Sequence, residues 1–194
     1  MSSPSILIAG IGNIFLGDDA FGVEVAQRMA ALPLPEGVRV VDFGIRGLDL
    51  TYALLEGYDA AILVDAAPRG QAPGTLYVIE PDAPAPAPAP ENELTPNDLL
   101  IETHGMHPAK VLRLVAAMGG RLRKILIVAC EPTPFDPETD MEMSLSAAVQ
   151  AAIPEAITLI ESLVARLQTE SDTCPAMHES QKGATDHGSF STIP

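Results

Sequence analysis

The sequence predicts an α/β fold: one three-layer domain, with a mainly parallel, twisted sheet of about five strands and helices on both faces. Two observations carry this. Short runs rich in Ile, Leu, Val and Ala alternate along the chain with segments whose apolar residues recur at helical spacing. The short runs are apolar throughout, which marks strands buried on both faces rather than half-exposed antiparallel ones.

The elements follow in order. Ser5–Gly10 is a continuous apolar run ending in glycine, a first buried strand. Ala20–Ala31 places Phe21, Val25, Ala26 and Met29 on one helical face, and the "LPLP" that follows stops the helix. Val38–Asp42 reads as a strand and Leu48–Leu55 as a short helix ended by Gly57. Ala60–Asp65 ("AAILVD") is another fully buried strand, and Thr75–Ile79 a further one after the Pro73–Gly74 turn. Pro108–Met118 is helical and closes on two glycines, and Lys124–Cys130 ("KILIVAC") is the fifth strand. Ser144–Leu167 is a long helical pattern. Pro154 lies inside it, and because an interior proline costs roughly 3 kcal/mol, a kink or break is expected there.

Two stretches stand outside this order. Residues 81–97 form a Pro/Ala-rich connector inside the domain, beginning with an extended "PDAPAPAPAP". Residues 168–194 lack periodicity and are rich in Ser, Thr, Gly and His, which predicts a disordered tail after a domain spanning 1–167.

The 194 residues suffice for one domain with a proper core. A formal net charge of −15 argues against nucleic acid and against an anionic membrane surface. The two cysteines, Cys130 and Cys174, have no zinc-site or disulfide spacing. The N-terminus has no basic region and too short an apolar run for a signal peptide, and no apolar run approaches the roughly 18 residues of a membrane span. A cytoplasmic monomer is expected.

The chemistry gathers where strands end, since in such sheets sites form outside the carboxyl ends. The first turn, "GIGNIFLGDDAFG", half matches the dinucleotide fingerprint G-x-G-x-x-G. Gly10 and Gly12 fit, and Asp42 stands where a ribose-binding acid would. Phe15 occupies the third glycine position, and Asp18 and Asp19 would repel a pyrophosphate. A nucleotide- or flavin-binding protein is thus the lesser alternative. Asp18 suits a helix N-cap, which leaves Asp19 without a structural task. Asp65 ends a neighbouring strand. Of the four histidines, two lie in the tail, and His104 and His107 precede a helix entering over the same edge. Two carboxylates and one imidazole, without thiolate, suit a borderline divalent metal with open positions.

These residues carry a family resemblance. "GIGNIFLGDDAFGVEVA" resembles the N-terminal signature of the hydrogenase maturation proteases, endopeptidases that trim the large subunit of nickel–iron hydrogenases. "VVDFGIRGLDL", "AILVDAA", "PGTLYVIE", "THGMHPAKVL" and "KILIVACEP" resemble later family segments, in order, so the likeness spans residues 5–167. The resemblance implies a nickel-sensing set on Asp19, Asp65 and His104, with His107 as the local competitor. Some relatives have Glu where Asp19 stands. It also implies that the nickel belongs to the substrate, a nickel-loaded large-subunit precursor whose C-terminal extension is removed, so the isolated protein is expected to be metal-free. Cleavage would use nickel as Lewis acid or a carboxylate activating water, and Asp42 is the candidate for that carboxylate. A catalytically idle, nickel-checking binding module is the other alternative.

Overall fold

The run Ile6–Ile11 (β1) is buried at every position because it lies inside a five-stranded sheet, with a strand on either side. In a computed structural model, residues 3–81, 108–120, 123–134 and 144–172 are described. The other strands are β2 (Val38–Gly44), β3 (Ala60–Ala66), β4 (Leu76–Ile79) and β5 (Lys124–Cys130). Their order is β2-β1-β3-β5-β4. β1 runs parallel to β2 and β3, and β3 parallel to β5. Only the edge strand β4 is antiparallel, against β5. The predicted fold class holds, and all five strands fall where the apolar runs place them.

Among the described residues four α-helices cover the sheet: α1 (Phe21–Ala30), α2 (Gly47–Leu55), α3 (Pro108–Ala117) and α4 (Ala147–Asp172). Successive strand residues point to opposite faces, so each strand feeds two cores. On one face Ile62 and Val64 of β3 meet Phe21, Val25 and Met29 of α1 and Ile153 and Ile160 of α4. On the other, Ala61 and Leu63 meet Leu50 and Leu54 of α2 and Val111 and Val115 of α3. Aliphatic residues do most of this work, as the absence of Trp requires.

The long last helix departs from expectation in three ways. It runs unbroken past Pro154. That residue is exposed, so the carbonyl deprived of its N–H partner faces the solvent side, while Val149, Ile153, Ala156 and Ile160 stay packed on the sheet. It also continues to Asp172, beyond the expected end at Leu167. Leu167 is buried, and the Gln168 side chain donates to the Glu36 carbonyl at 3.2 Å, so the last turns have something to pack against. Finally, Ala147–Glu170 has a mean hydropathy of 1.4 and is long and apolar enough, by composition, to cross a membrane. Its apolar side is the core. Apart from Pro81, the Pro/Ala connector lies outside the described residues, as does the tail after Asp172.

Candidate active site

The first turn is tied by its own polar groups. After β1 the chain passes through Gly12 at φ +138°, where an added Cβ would sit 1.8 Å from the Asp19 carbonyl oxygen. Only glycine allows this approach. The Asn13 N–H donates to Asp19 Oδ2 at 2.7 Å, and the Phe15 N–H to Asn13 Oδ1 at 3.0 Å. A short 3-10 helix, Gly17–Ala20, then delivers the chain into α1. Asp19, to which the sequence assigned no structural task, thus helps tie the turn.

Asp18 acts differently from expectation. It caps neither its own turn nor α1. Its carboxylate reaches across the molecule to accept the N–H groups of Thr133 (2.8 Å) and Ser146 (2.6 Å). Ser146 immediately precedes α4, so the charge sits at that helix's positive end. The close-approach glycine missing at Phe15 is present elsewhere. A Cβ on Gly22 would lie 2.1 Å from the Val64 carbonyl oxygen and 2.3 Å from that of Ile11, so α1 touches β1 and β3 there.

Asp19 and Asp65 form an interacting pair. Asp65 lies at the carboxyl end of β3 and is only 8% exposed. Burial lifts its carboxyl to about 7; the negative charge of Asp19 adds to the rise, and the Ala66 N–H on Oδ1 (3.0 Å) opposes it. Burial also raises Asp19, against the pull of the Asn13 N–H. Two acids sharing a poorly hydrated edge resist double ionisation, and a proton or a cation relieves them. Among the described residues the one thiol, Cys130, is buried, and burial pushes it up to about 12.

Asp42 stands apart from that pair. It lies opposite Gly10 at the end of β2, and its Oδ2 accepts from the Gln27 side chain of α1 at 3.0 Å. Strand alternation with Val38 and Val40 assigns it to the α1/α4 face, whereas Asp65 alternates with Ala61 and Leu63 of the α2/α3 face. Among the described residues no hydrogen bond links Asp42 to Asp19 or Asp65. His104 and His107 lie outside the described residues. The helix they precede, α3, opens at Pro108 and packs on the α2/α3 face, the face of Asp65. The described residues contain no group of three His, Cys, Asp or Glu side chains able to hold a metal. Their contribution to the candidate set is the two carboxylates.

Glu131 is the polar residue whose task the sequence conceals. It is 4% exposed, just past β5. Its carboxylate accepts the N–H groups of Arg69 and Gly70 at 2.8–2.9 Å and the Tyr77 hydroxyl at 2.5 Å. The Tyr77 hydrogen bond and then the loop amides hold this carboxyl below its ordinary range. Burial and the Glu131 charge push the Tyr77 hydroxyl up to about 12, and the Arg69 guanidinium lies 5.8 Å from its ring centroid. The cluster pins the loop that leaves Asp65. Its donors are mostly backbone groups about 60 residues away, so no side-chain pattern announces it.

Comparison with known proteins agrees with this architecture. Residues 23–163 match the HycI hydrogenase maturation protease family model, a span that includes Asp42, Asp65 and His104 and begins just after Asp19. The chain is 31% identical over 168 residues to the hydrogenase expression/formation protein HupM of Azotobacter chroococcum, covering 84% of this chain and 73% of that one. It is 27% identical over 158 residues to the hydrogenase 2 maturation protease of Escherichia coli, covering 80% and 90%. The solved structure of the hydrogenase maturating endopeptidase HybD from E. coli superposes with a TM-score of 0.63 at 27% identity, covering 84% and 93%. The sheet and these matches together place the chain in the hydrogenase maturation protease family, and it is a peptidase of that kind.

Proposed function

We propose that this peptidase removes the C-terminal extension of a nickel-loaded large-subunit precursor of a nickel–iron hydrogenase, in the cytoplasm. The observation that carries the reading is the pairing of Asp19 with Asp65, two carboxyls raised by burial and, at Asp65, by each other's proximity. Such a pair awaits a cation. In the proposed reaction the precursor supplies it: Asp19, Asp65 and His104 complete the coordination of the substrate's nickel and so test whether loading is finished. Near neutral pH Asp65 holds a proton part of the time, and arrival of the cation sends that proton to solvent.

Peptide cleavage then needs an activated water and a polarised carbonyl. The substrate's nickel would supply both as a Lewis acid, or Asp42 would take the water's proton. With Oδ2 held by Gln27, Oδ1 of Asp42 is the oxygen for that task. Asp42→Asn separates the routes: the carboxylate route predicts loss of cleavage with precursor binding kept, and the nickel route predicts that cleavage continues.

The whole reading is tested by mixing the enzyme with precursor, loaded with nickel or not, and following the mass of the large subunit. Loss of the C-terminal extension only from the loaded precursor, and only with an intact Asp19, is expected. Wild-type rates from a folded Asp19→Asn protein would sink the assignment.

A further inference from the structure

The apolar stretch Ile14–Phe15–Leu16, between the glycine turn and the acid pair, serves neither core. Its side chains are 49%, 62% and 48% exposed. Single exposed apolar residues are ordinary on any surface. Three in a row on a fixed backbone are not. The tip is held by the Asn13 N–H on Asp19, the Phe15 N–H on the Asn13 side chain, the Leu16 N–H on the Asn13 carbonyl and the Asp19 N–H on the Leu16 carbonyl. The Gly12 N–H donates to the Gly44 carbonyl at 3.1 Å, joining this turn to the passage from β2 into α2, where Ile45 and Leu48 are also exposed. Five of the ten exposed large apolar side chains among the described residues thus gather on this turn and on the adjoining passage from β2 into the first turn of α2.

We propose that Ile14–Phe15–Leu16 is a docking tip that binds an apolar stretch of the precursor polypeptide beside the bond to be cut. This rests on the proposed function. Continuity is the first argument: Asp19 both ties down the tip and belongs to the acid pair, so a polypeptide presenting a cation to that pair lies across the tip. Rigidity is the second. A backbone already fixed by these hydrogen bonds loses little freedom on contact, so more of the side chains' burial goes into affinity. Charge is the third: a chain of net charge −15 with two acids at this edge repels an acidic segment and accepts an apolar one that brings a cation.

The test is the kinetics of Phe15→Ser, with Phe15→Leu as the conservative control, on nickel-loaded precursor. Burying a phenylalanine is worth enough that its loss should raise KM about tenfold to a hundredfold, with the rate at saturating precursor within about twofold of wild type. Phe15→Leu should restore most of the affinity, and thermal unfolding of both variants should match wild type because the side chain packs in no core. An unchanged KM for Phe15→Ser, or a loss confined to the saturated rate, overturns the proposal. So does a wild-type dimer that Phe15→Ser dissociates without change in KM, which would make the tip a contact between copies of this chain. If wild type itself fails to cut loaded precursor, the proposed function falls instead.

Discussion

Asp65→Asn tests the electrostatics of the acid pair without any substrate. In the metal-free fold Asp65 protonates at about 7, against 3.8 for an ordinary aspartate, mainly because burial penalises the charged form. At about 1.36 kcal/mol per pH unit, that gap amounts to roughly 4 kcal/mol. The sign follows from linkage. Between pH 3.8 and about 7 the folded protein holds a proton that the unfolded chain has released, so this contribution is complete below 3.8 and lost as pH rises to about 7. Asparagine keeps an oxygen for the Ala66 N–H and never ionises. Urea unfolding of both proteins with chelator present, from pH 4 to pH 8, reads the effect. The variant should gain on wild type by about 4 kcal/mol across that range, because wild type alone is penalised. Taking the difference removes groups of opposite sign such as Glu131, whose lowered carboxyl loses stability toward acid in both proteins. A gap between the two proteins that does not change with pH would refute the reasoning.

Other perturbations have equally definite outcomes. Asp19→Asn keeps an acceptor for the Asn13 N–H, so circular dichroism should show a native fold while processing is abolished. His104→Ala should stop cleavage and His107→Ala only slow it; the reverse ranking would move the proposed ligand three residues along. Gly22→Ala drives a methyl into the carbonyl oxygens of Val64 and Ile11 and should cost about 3 kcal/mol in denaturant unfolding. Glu131→Ala strips the N–H groups of Arg69 and Gly70 and the Tyr77 hydroxyl of their acceptor, and should lower Tm by several degrees and open the loop after Asp65 to proteolysis.

The sheet was legible because burial on both faces leaves a local signature: "ILIAGI", "AAILVDA" and "KILIVAC" are apolar at almost every step. Helix ends were less so, since they depend on distant partners. Pro154 announces a break that the packing of Val149, Ile153 and Ile160 overrides, and Gln168 continues the helix partly by bonding to Glu36. In the site, Asp19 and Asp65 could be named from their places at strand ends, and the structure places them in each other's field. Asp18 could not be assigned from sequence. Its partners, Thr133 and Ser146, are backbone amides more than a hundred residues away. Gly22 escaped for a related reason: the close approach it allows belongs to a longer turn than the dinucleotide fingerprint assumes.

The central claim is that the nickel comes with the substrate and that the enzyme only recognises it. The proposed set of two carboxylates and an imidazole, one carboxylate protonated part of the time near neutral pH, would make a weak site for a free ion. The most direct measurement crosses two treatments and reads the large subunit by mass spectrometry. Chelator-treated enzyme, freed of chelator, is given nickel-loaded precursor, and untreated enzyme is given nickel-free precursor. The account predicts complete loss of the C-terminal extension in the first reaction and none in the second. Cleavage in the second and none in the first would contradict it, and would make this a metalloprotease that owns its metal.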